Sequence, residues 1–285
     1  DFEANAKEGV GIDWPIRYED IDKWYGYVEN FIGVSGRKEG LSQLPDGNFL
    51  PPLDMNCVEK DFKKNLFDKL GRTYTSGRVT NITKNHNGRG KCQSRNLCIR
   101  GCPYGAYFSS NSSTLPAAEA TGNMTLKTNS IVHSIIYDDE KNKATGVRVL
   151  DSETLEMTDY YARIIFLNAS TINSTIIMLN SKSRRFPNGF GNDSGELGHN
   201  IMDHHFKAGA RAQIDGYEDY YYHGNRPANG YLARFRNLGR KKMDYLRGFG
   251  YQGGAKRGGW ANSGEAALTG KNLLKKASNP RGWTM

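Results

Sequence analysis

The feature of the sequence that most constrains the fold is a short segment, Ile164–Leu167, that is apolar at every position. A strand with one face in solvent alternates apolar and polar residues, whereas a strand covered on both faces is apolar throughout. The small residues Asn168–Thr171 follow the segment, and a helical pattern, Ser174–Leu179, comes next. A strand, a small-residue turn and a helix start form a common phosphate-binding geometry. We therefore predict a parallel strand of an α/β sheet that ends in a binding corner.

The chain before this corner predicts an antiparallel ribbon. Three strand-like segments, Ile131–Tyr137, Ala144–Leu150 and Met157–Leu167, are separated by turn-forming residues, and Val147 and Val149 share one face with Arg148 opposite, as in a half-buried ribbon. Further along, Lys207–Ile214 and Tyr231–Arg236 have strand-like composition. The sequence thus predicts an α+β protein, in which part of an α/β domain is followed by the start of an antiparallel sheet.

Two helices are predicted near the beginning of the chain. Apolar residues recur at steps of three and four over Tyr18–Ile32, and Gly33 follows as a helix stop. The second helix is preceded by Asn56 with Glu59 three residues later, which is the pattern of a capping box, and Gly71 ends it.

Four cysteines are too few to hold together a chain of 285 residues through disulfides, so the core must come from burial. Cys92, Cys98 and Cys102 lie within eleven residues, at a spacing that fits neither zinc ribbons nor bacterial ferredoxin clusters. A metal site would need a fourth ligand, for which Cys57 and His86 are the nearby candidates. We predict no metal site, and assign the cysteines to structure or to the wall of a cofactor site.

Composition excludes several classes of protein. Hydrophobic residues make up 37% and charged residues 24%, as in ordinary globular chains rather than disordered ones. The apolar runs are far shorter than the ~20 residues of a membrane span, so none is predicted. The net charge of +9 is uneven, because residues 1–60 hold 12 acidic and 6 basic residues while residues 206–285 hold 5 and 15. The basic part could bind phosphate or nucleic acid, or pair with the acidic part.

Three patterns match functional motifs without their context. Gly248–Gly253 fits the dinucleotide fingerprint, but neither an apolar strand before it nor a helix after it is predicted. Arg247–Tyr251 begins like an RNA-binding strand, and its pattern then breaks at Gln252. Asp203–His205 lacks a nucleophile on a sharp turn nearby, so a hydrolytic triad is not predicted.

Segments in a fixed order over residues 13–205 resemble the glucose–methanol–choline (GMC) family of FAD-dependent oxidoreductases, its sugar-oxidising branch in particular. The segments are Asp13–Phe31, Asn87–Cys98, Gly101–Ala106, Leu115–Ala118, Asn123–Val132, Gly146–Val147, Phe166–Ser181 and Gly191–His204. The order is more specific than any single segment.

The resemblance implies an FAD site. The backbone at Val132 would meet the adenine, and the turn at Asn168, Ala169 and Ser170 would approach the adenosine end of the cofactor. The loop that contains Cys102, Gly105 and Ala106 would lie near the isoalloxazine ring, and the segment from Asn200 to His204 would join the FAD domain to the substrate domain.

The chain also departs from the family. Ser170, Thr175 and Lys182 stand where relatives usually have Gly, Pro and Gly, and a side chain at residue 170 restricts close backbone approach to the cofactor. The family's dinucleotide fingerprint precedes the matching region and its catalytic histidine follows it. We therefore expect an internal part of a longer polypeptide, without a catalytic residue of its own.

The function implied by the resemblance is oxidation of a hydroxyl of a sugar or related alcohol. Hydride would pass from carbon to flavin N5, and a histidine base would take the hydroxyl proton. The alternatives are a non-catalytic relative that binds carbohydrate or a partner, with Tyr220–Tyr222 and Trp260 stacking on sugar rings, and an RNA-binding protein, which is less favoured. We predict a small-molecule substrate and no nucleic acid; the electron acceptor is unknown.

Three segments are predicted from these patterns: a lid with connecting helices over residues 1–90, an FAD-binding segment over 91–205, and the start of a substrate-binding domain over 206–285. Residues 76–105 have no periodic pattern, which is typical of a lid or binding loop. The compartment stays open between cytoplasm and periplasm.

Overall fold

The computed structural model of the protein describes residues 2–95, 97–203, 208–217, 228–239, 242–258, 270–272 and 282–285. The chain divides into two compact units. The first unit comprises Asp1–Asn123 and Gly209–Met285, and the second unit comprises Met124–Ala208. The predicted boundaries after residues 90 and 205 separate a lid, an FAD-binding segment and the start of a substrate-binding domain. These functional assignments stay predictions.

The described elements are short helices and small antiparallel sheets. The helices are α1 (Ala4–Glu8), α2 (Tyr18–Ile32), α3 (Cys57–Leu70), α4 (Thr114–Glu119) and α5 (Ser170–Asn180), with 3₁₀ turns at Cys98–Arg100 and Ser110–Ser112. The strands are β1 (Tyr74–Ser76), β2 (Ser130–Asp138), β3 (Lys143–Asp151), β4 (Met157–Tyr161), β5 (Gln213–Ile214), β6 (Gly230–Leu232), β7 (Tyr251–Gly253), β8 (Lys256–Arg257) and β9 (Trp283–Thr284). The described strands form three sheets, with strand orders β1-β6-β7, β2-β3-β4 and β5-β9-β8. This mixed α and β content agrees with the predicted class at that level.

Helix α3 begins as its sequence predicts. The side chain of Asn56 accepts a hydrogen bond from the Glu59 amide at 3.0 Å, and the Glu59 carboxylate accepts one from the Asn56 amide at 3.0 Å. The other Glu59 oxygen accepts from the Ala255 amide at 3.2 Å, and the Asn56 amide group donates to the Ala255 carbonyl at 2.7 Å. The capping box therefore also ties α3 to the segment between β7 and β8, which explains why Glu59 is fully buried. Val58 packs in the same core with Ala255 and Trp283.

Helix α2 has the predicted bounds and ends at Gly33, whose φ of 75° is left-handed. A Cβ at Gly33 would lie 2.6 Å from Ile82, so glycine also allows close packing there. The apolar face predicted for α2 is only partly covered, because Trp24 is 59% exposed and Val28 is 49% exposed.

The second unit is built on the β2-β3-β4 ribbon. Strand β3 pairs with both neighbours, so that Val149 lies opposite Val132 on β2 and Thr158 on β4. Arg148 and Asp159, opposite each other across β3 and β4, form two hydrogen bonds of 2.8 and 2.9 Å. Such cross-strand pairs help to hold the register of a ribbon.

Helix α5 packs on strand β2 of this ribbon. The buried Ser181 hydroxyl accepts a hydrogen bond from the Ile135 amide at 2.7 Å and donates to the Ile177 carbonyl at 2.6 Å. Among the described residues of this unit, Ile135, Val149 and Ile177 are the buried apolar ones. The helix begins at Ser170, four residues before the predicted start, and ends one residue after the predicted end.

The prediction of a buried parallel strand before the corner is wrong. Strand β4 ends at Tyr161, and residues 162–169 form no strand. Ile164 is 72% exposed and Phe166 is 81% exposed. An apolar run forms a strand only where other strands accept and donate its backbone hydrogen bonds. No such neighbour pairs with this segment within the described residues.

The strand-like segments after residue 207 are shorter than predicted. Only Gln213–Ile214 and Gly230–Leu232 are strands within the described parts of those two segments. In the part of the chain that the structure describes, no helix combines the length and apolar character needed to cross a membrane.

Candidate functional site

In the first unit, a tight hairpin holds the end of α2. The amides and carbonyls of His86 and Arg89 bond to each other at 3.0 Å, and the two residues between them, Asn87 and Gly88, have φ values of 46° and 74°. Positive φ at both central positions is what a type I′ turn requires, and Asn-Gly is its favoured sequence. The hairpin is therefore fixed by local sequence.

Three side chains of this hairpin bind consecutive carbonyls at the end of α2. The His86 ring nitrogen lies 2.6 Å from the carbonyl of Asn30, and the Asn87 amide group donates to the carbonyl of Phe31 at 2.9 Å. Arg89 donates to the next carbonyl, that of Ile32, at 2.6 Å. The last carbonyls of a helix lack partners within the helix, and a cation there also complements the helix dipole.

Arg89 connects this helix end to the loop predicted to lie near the flavin ring. Its Nε donates to the carbonyl of Gly105 at 2.8 Å, and its Nη1 contacts the Ser113 hydroxyl at 3.3 Å. The side chain is 6% exposed, and its Nη2 is buried without a hydrogen-bond partner. Burial lowers the pKa of Arg89, and the nearby Cys102 sulfur opposes that shift. A buried guanidinium with an unused donor favours an anion beside it.

The loop of Cys102, Gly105 and Ala106 is a tight turn with one buried end. The Gly105 amide donates to the Cys102 carbonyl at 2.9 Å, and Gly105 has a left-handed φ of 63°. A Cβ at Gly105 would lie 3.2 Å from Cγ of Arg89, so glycine allows the two chains to approach. Ala106 is 1% exposed, and its carbonyl accepts from the Ile82 amide at 3.0 Å. The structure thus brings these three predicted residues together around Arg89.

The surroundings of the Cys102 thiol lower its pKa. Partial burial acts to raise its pKa, but hydrogen bonds from the backbone amides of Tyr107, Tyr104 and Ala106, together with the charge of Arg95, outweigh it. The pKa of Cys102 consequently lies below its usual value. Several amides directed at one atom form a site for negative charge.

In the second unit, the predicted corner of residues 168–170 has a backbone conformation typical of glycine at Ser170. Ser170 has a φ of 66°, in the left-handed region that residues with a Cβ rarely adopt. Asn168 and Ser170 are exposed and Ala169 is half-buried, so other packing does not cover the corner. The serine that replaces the family's usual glycine therefore retains the backbone conformation for which glycine is suited.

The remaining predicted residues have different surroundings. Val132 is half-buried on β2, next to an irregularity in the β2-β3 register between Val132 and Ser134. Asn200 has a φ of 58°, and its side chain donates to Glu196 at 2.9 Å. His204 lies outside the described residues. Val132, the corner and Asn200 thus share the second unit, and their cofactor roles stay predictions.

Arg89 is the residue that sequence reasoning missed. It lies inside the segment Asn87–Cys98 that carries part of the family resemblance, but its burial follows from contacts with the distant residues Ile32 and Gly105. The sequence does contain one indication, because Arg89 directly follows Asn87-Gly88. The hairpin turn that this pair favours fixes where the Arg89 side chain lies. Among the described residues, no group of three or more His, Cys, Asp or Glu is arranged to hold a metal ion.

Comparison with known proteins gives one family. The family model "GMC oxidoreductase" matches residues 15–206. The chain is 28% identical over 209 residues to 2-methyl-1,2-propanediol dehydrogenase of Mycolicibacterium austroafricanum, a match that covers 72% of this chain and 37% of that protein. It is 25% identical over 211 residues to the fructose dehydrogenase large subunit of Gluconobacter japonicus, with the same coverage of 72% and 37%.

A third relative is an oxidase. The 6'''-hydroxyparomomycin C oxidase of Streptomyces lividus is 25% identical over 197 residues, which cover 68% of this chain and 36% of that protein. The chain therefore spans little more than a third of the length of the relatives it matches.

Proposed function

Because the chain belongs to the GMC oxidoreductase family, we propose that it is part of an FAD-dependent enzyme that oxidises a hydroxyl of a sugar or related alcohol. The family match confirms the resemblance seen over residues 13–205. FAD binding is the known role of this domain, and the relatives are named as dehydrogenases of a diol and of fructose and as an oxidase. Their names support the class of substrate and leave the particular substrate open.

The backbone of Ser170 is the observation that carries the proposal. A left-handed φ at a residue with a Cβ is unfavourable, and it occurs in turns and also clusters at active and ligand-binding sites. Ser170 thus keeps the backbone conformation for which the family's usual glycine is suited, while its Cβ leaves less room for a nucleotide than glycine would. We propose that residues 168–170 and Val132 hold the adenosine end of FAD within an α/β domain that the longer protein completes.

The loop around Cys102 would meet the isoalloxazine ring. The unused Nη2 of Arg89 and the amides of residues 104, 106 and 107 supply positive character beside that loop. When bound, the flavin supplies the hydride acceptor, while the protein supplies binding, orientation and electrostatics. Asn200 and His204 would lie at the approach to the substrate domain. The base that takes the hydroxyl proton is proposed to lie outside this chain.

The test uses the longer polypeptide that the coverage of the relatives implies. The protein is produced with FAD, and its visible flavin spectrum is followed while sugars and small diols are added without oxygen. Bleaching of the bound flavin by a member of this panel supports the proposal. Failure to retain flavin after reconstitution would refute it, and flavin that no sugar or alcohol reduces would favour a non-catalytic relative instead.

The corner is tested by placing a β-branched residue in the left-handed position. Ser170→Val should weaken FAD binding by at least tenfold. Leu155→Val is the matched control, because Leu155 also has a left-handed φ, of 61°, and is 70% exposed between β3 and β4. Equal effects of the two variants on FAD affinity would show that the corner does not contact the cofactor.

Tyr220–Tyr222 and Trp260, which the carbohydrate-binding alternative uses, lie outside the described residues. The absence of nucleic-acid binding also stays a prediction, which a flat salt response with single-stranded RNA would support.

A further inference from the structure

Three arginines gather at one end of the β1-β6-β7 sheet. The pairing of β1 with β6 continues one residue past the strands, where the Ala233 amide donates to the Thr73 carbonyl at 3.2 Å. Because paired strands are matched residue by residue, this register brings Arg72 next to Arg234. Arg236 follows two residues later, and all three side chains are half-buried. We call Arg72, Arg234 and Arg236 the arginine cluster.

One aromatic ring and one glycine position the side chains of the cluster. The guanidinium carbons of Arg72 and Arg236 lie 4.6 and 5.4 Å from the centre of the Phe235 ring, so the two cations share one ring. A Cβ at Gly248 would lie 2.5 Å from Cδ of Arg234 and 2.9 Å from the carbonyl oxygen of Arg236. The aliphatic part of Arg234 therefore runs directly along this glycine. Stacking on an aromatic ring and packing on the backbone both limit the freedom of an arginine side chain.

The arginine cluster has no counter-charge among the described residues. The neighbouring Arg247 pairs with Glu8 at 3.2 Å, whereas no arginine of the cluster forms an ion pair with a described carboxylate. The one side-chain contact of this kind is weak, since Nη1 of Arg236 lies 4.0 Å from the Met243 sulfur. Like charges on neighbouring strands repel each other, and partial burial removes some of the water that would screen them. A bound anion would remove this repulsion.

We propose that the arginine cluster binds the phosphate or carboxylate group of a small molecule. A guanidinium group presents a planar fork of N–H donors that matches the oxygens of both anions. A small molecule fits better than a nucleic acid, because the cluster is confined to one end of a three-stranded sheet, whereas a nucleic-acid site follows several phosphates along the strand. Every group involved belongs to this sheet and its adjoining loops. The site therefore goes beyond the proposed oxidation and does not require it.

The first experiment titrates the full-length protein with inorganic phosphate in a calorimeter, at low ionic strength and in a buffer without oxyanions. Binding should saturate, and Arg72→Gln and Arg236→Gln should each weaken it about tenfold or more, because each removes a charged donor. Arg211→Gln is the matched control, since Arg211 is exposed in the same basic part of the chain, and it should change the affinity by less than about twofold. Absence of saturable binding, or equal losses in the three variants, would overturn the proposal.

The second experiment changes the geometry of the cluster and keeps every charge. Gly248→Ala should displace the side chain of Arg234, because the new Cβ would lie 2.5 Å from its Cδ, and should weaken phosphate binding severalfold. Gly253→Ala on the same sheet is the control, since nothing lies within 4 Å of its Cβ, and it should leave the affinity unchanged. Wild-type affinity in Gly248→Ala would contradict the assignment of Arg234 to the site.

The third experiment identifies which anion the site takes, by comparing glucose 6-phosphate, gluconate and glucose in the same titration. Tighter binding of glucose 6-phosphate than of gluconate would assign the site to phosphate, and the reverse order would assign it to carboxylate. In either case Arg236→Gln should remove the preference over glucose. Glucose that binds as tightly as both anions, or a single-stranded RNA that binds more tightly than all three compounds, would overturn the proposal.

Discussion

Replacing Ser170 by glycine should make the protein more stable, although the substitution removes a side chain. Ser170 has a φ of 66°, and a left-handed backbone costs a residue with a Cβ about 1–2 kcal/mol. Glycine loses more conformational freedom on folding than serine does, which offsets roughly 0.5–1 kcal/mol of the strain that the substitution relieves. The net stabilisation is therefore about 0.5–1 kcal/mol, which corresponds to a rise of roughly 1–4 °C in melting temperature.

The assay is thermal and urea unfolding of the wild type, Ser170→Gly and Ser170→Ala, each followed by circular dichroism. Alanine removes the hydroxyl and keeps the Cβ, so its melting temperature should stay near that of the wild type. Leu155→Gly relieves a left-handed φ of 61° elsewhere in the same unit and should also stabilise. If glycine and alanine at position 170 give the same stability, the Cβ is not strained and the argument from the backbone of the corner fails.

Three further predictions concern packing, capping and pH. Gly146→Ala should lower the free energy of unfolding by about 1–3 kcal/mol, because its Cβ would lie 2.3 Å from the Tyr160 carbonyl oxygen. Gly253→Ala is the control, since nothing lies within 4 Å of its Cβ, and it should have a smaller effect in the same urea titration. Glu59→Ala should cost about 2–4 kcal/mol, since two buried amides lose their acceptor, whereas the exposed Glu19→Ala should change the unfolding free energy by under about 0.5 kcal/mol. Amide hydrogen bonds from residues 153 and 154 lower the pKa of Asp151, so its stabilisation is present at neutral pH and is lost as the pH falls from about 4 through the folded-state pKa. Asp151→Asn should flatten this acid dependence, and an unchanged acid limb would contradict the assignment.

The elements that the sequence predicted correctly are those whose causes are local. Helix α3 begins at the capping box of Asn56 and Glu59 and ends at Gly71, and α2 has its predicted bounds, because caps and periodicity act within a few residues. The ribbon strands β2 and β3 extend one residue beyond each predicted end. Their turns are also local in origin.

The failures have distant causes. Residues 164–167 have the composition of a buried strand, but hydrophobicity does not specify which strands will pair with it. The burial of Arg89 depends on Ile32 and Gly105, which lie 57 and 16 residues away in the chain. The position of Ser170 at a corner was predictable from the small residues around it, whereas its left-handed backbone was not.

The backbone conformation of the corner at Ser170 does not depend on the packing of residues 162–169 before it. This affects how variants at Ser170 can be interpreted. Helix α5 is held to β2 through Ser181 and Ile135, and both residues belong to the second unit. The conformation at the start of α5 therefore does not require residues 162–169 to be a strand. Ile164 and Phe166 expose most of their surface, so they contribute little burial energy to the corner. A change in FAD affinity at Ser170 consequently reports on the backbone of the corner itself, because the packing that supports α5 lies at its other end.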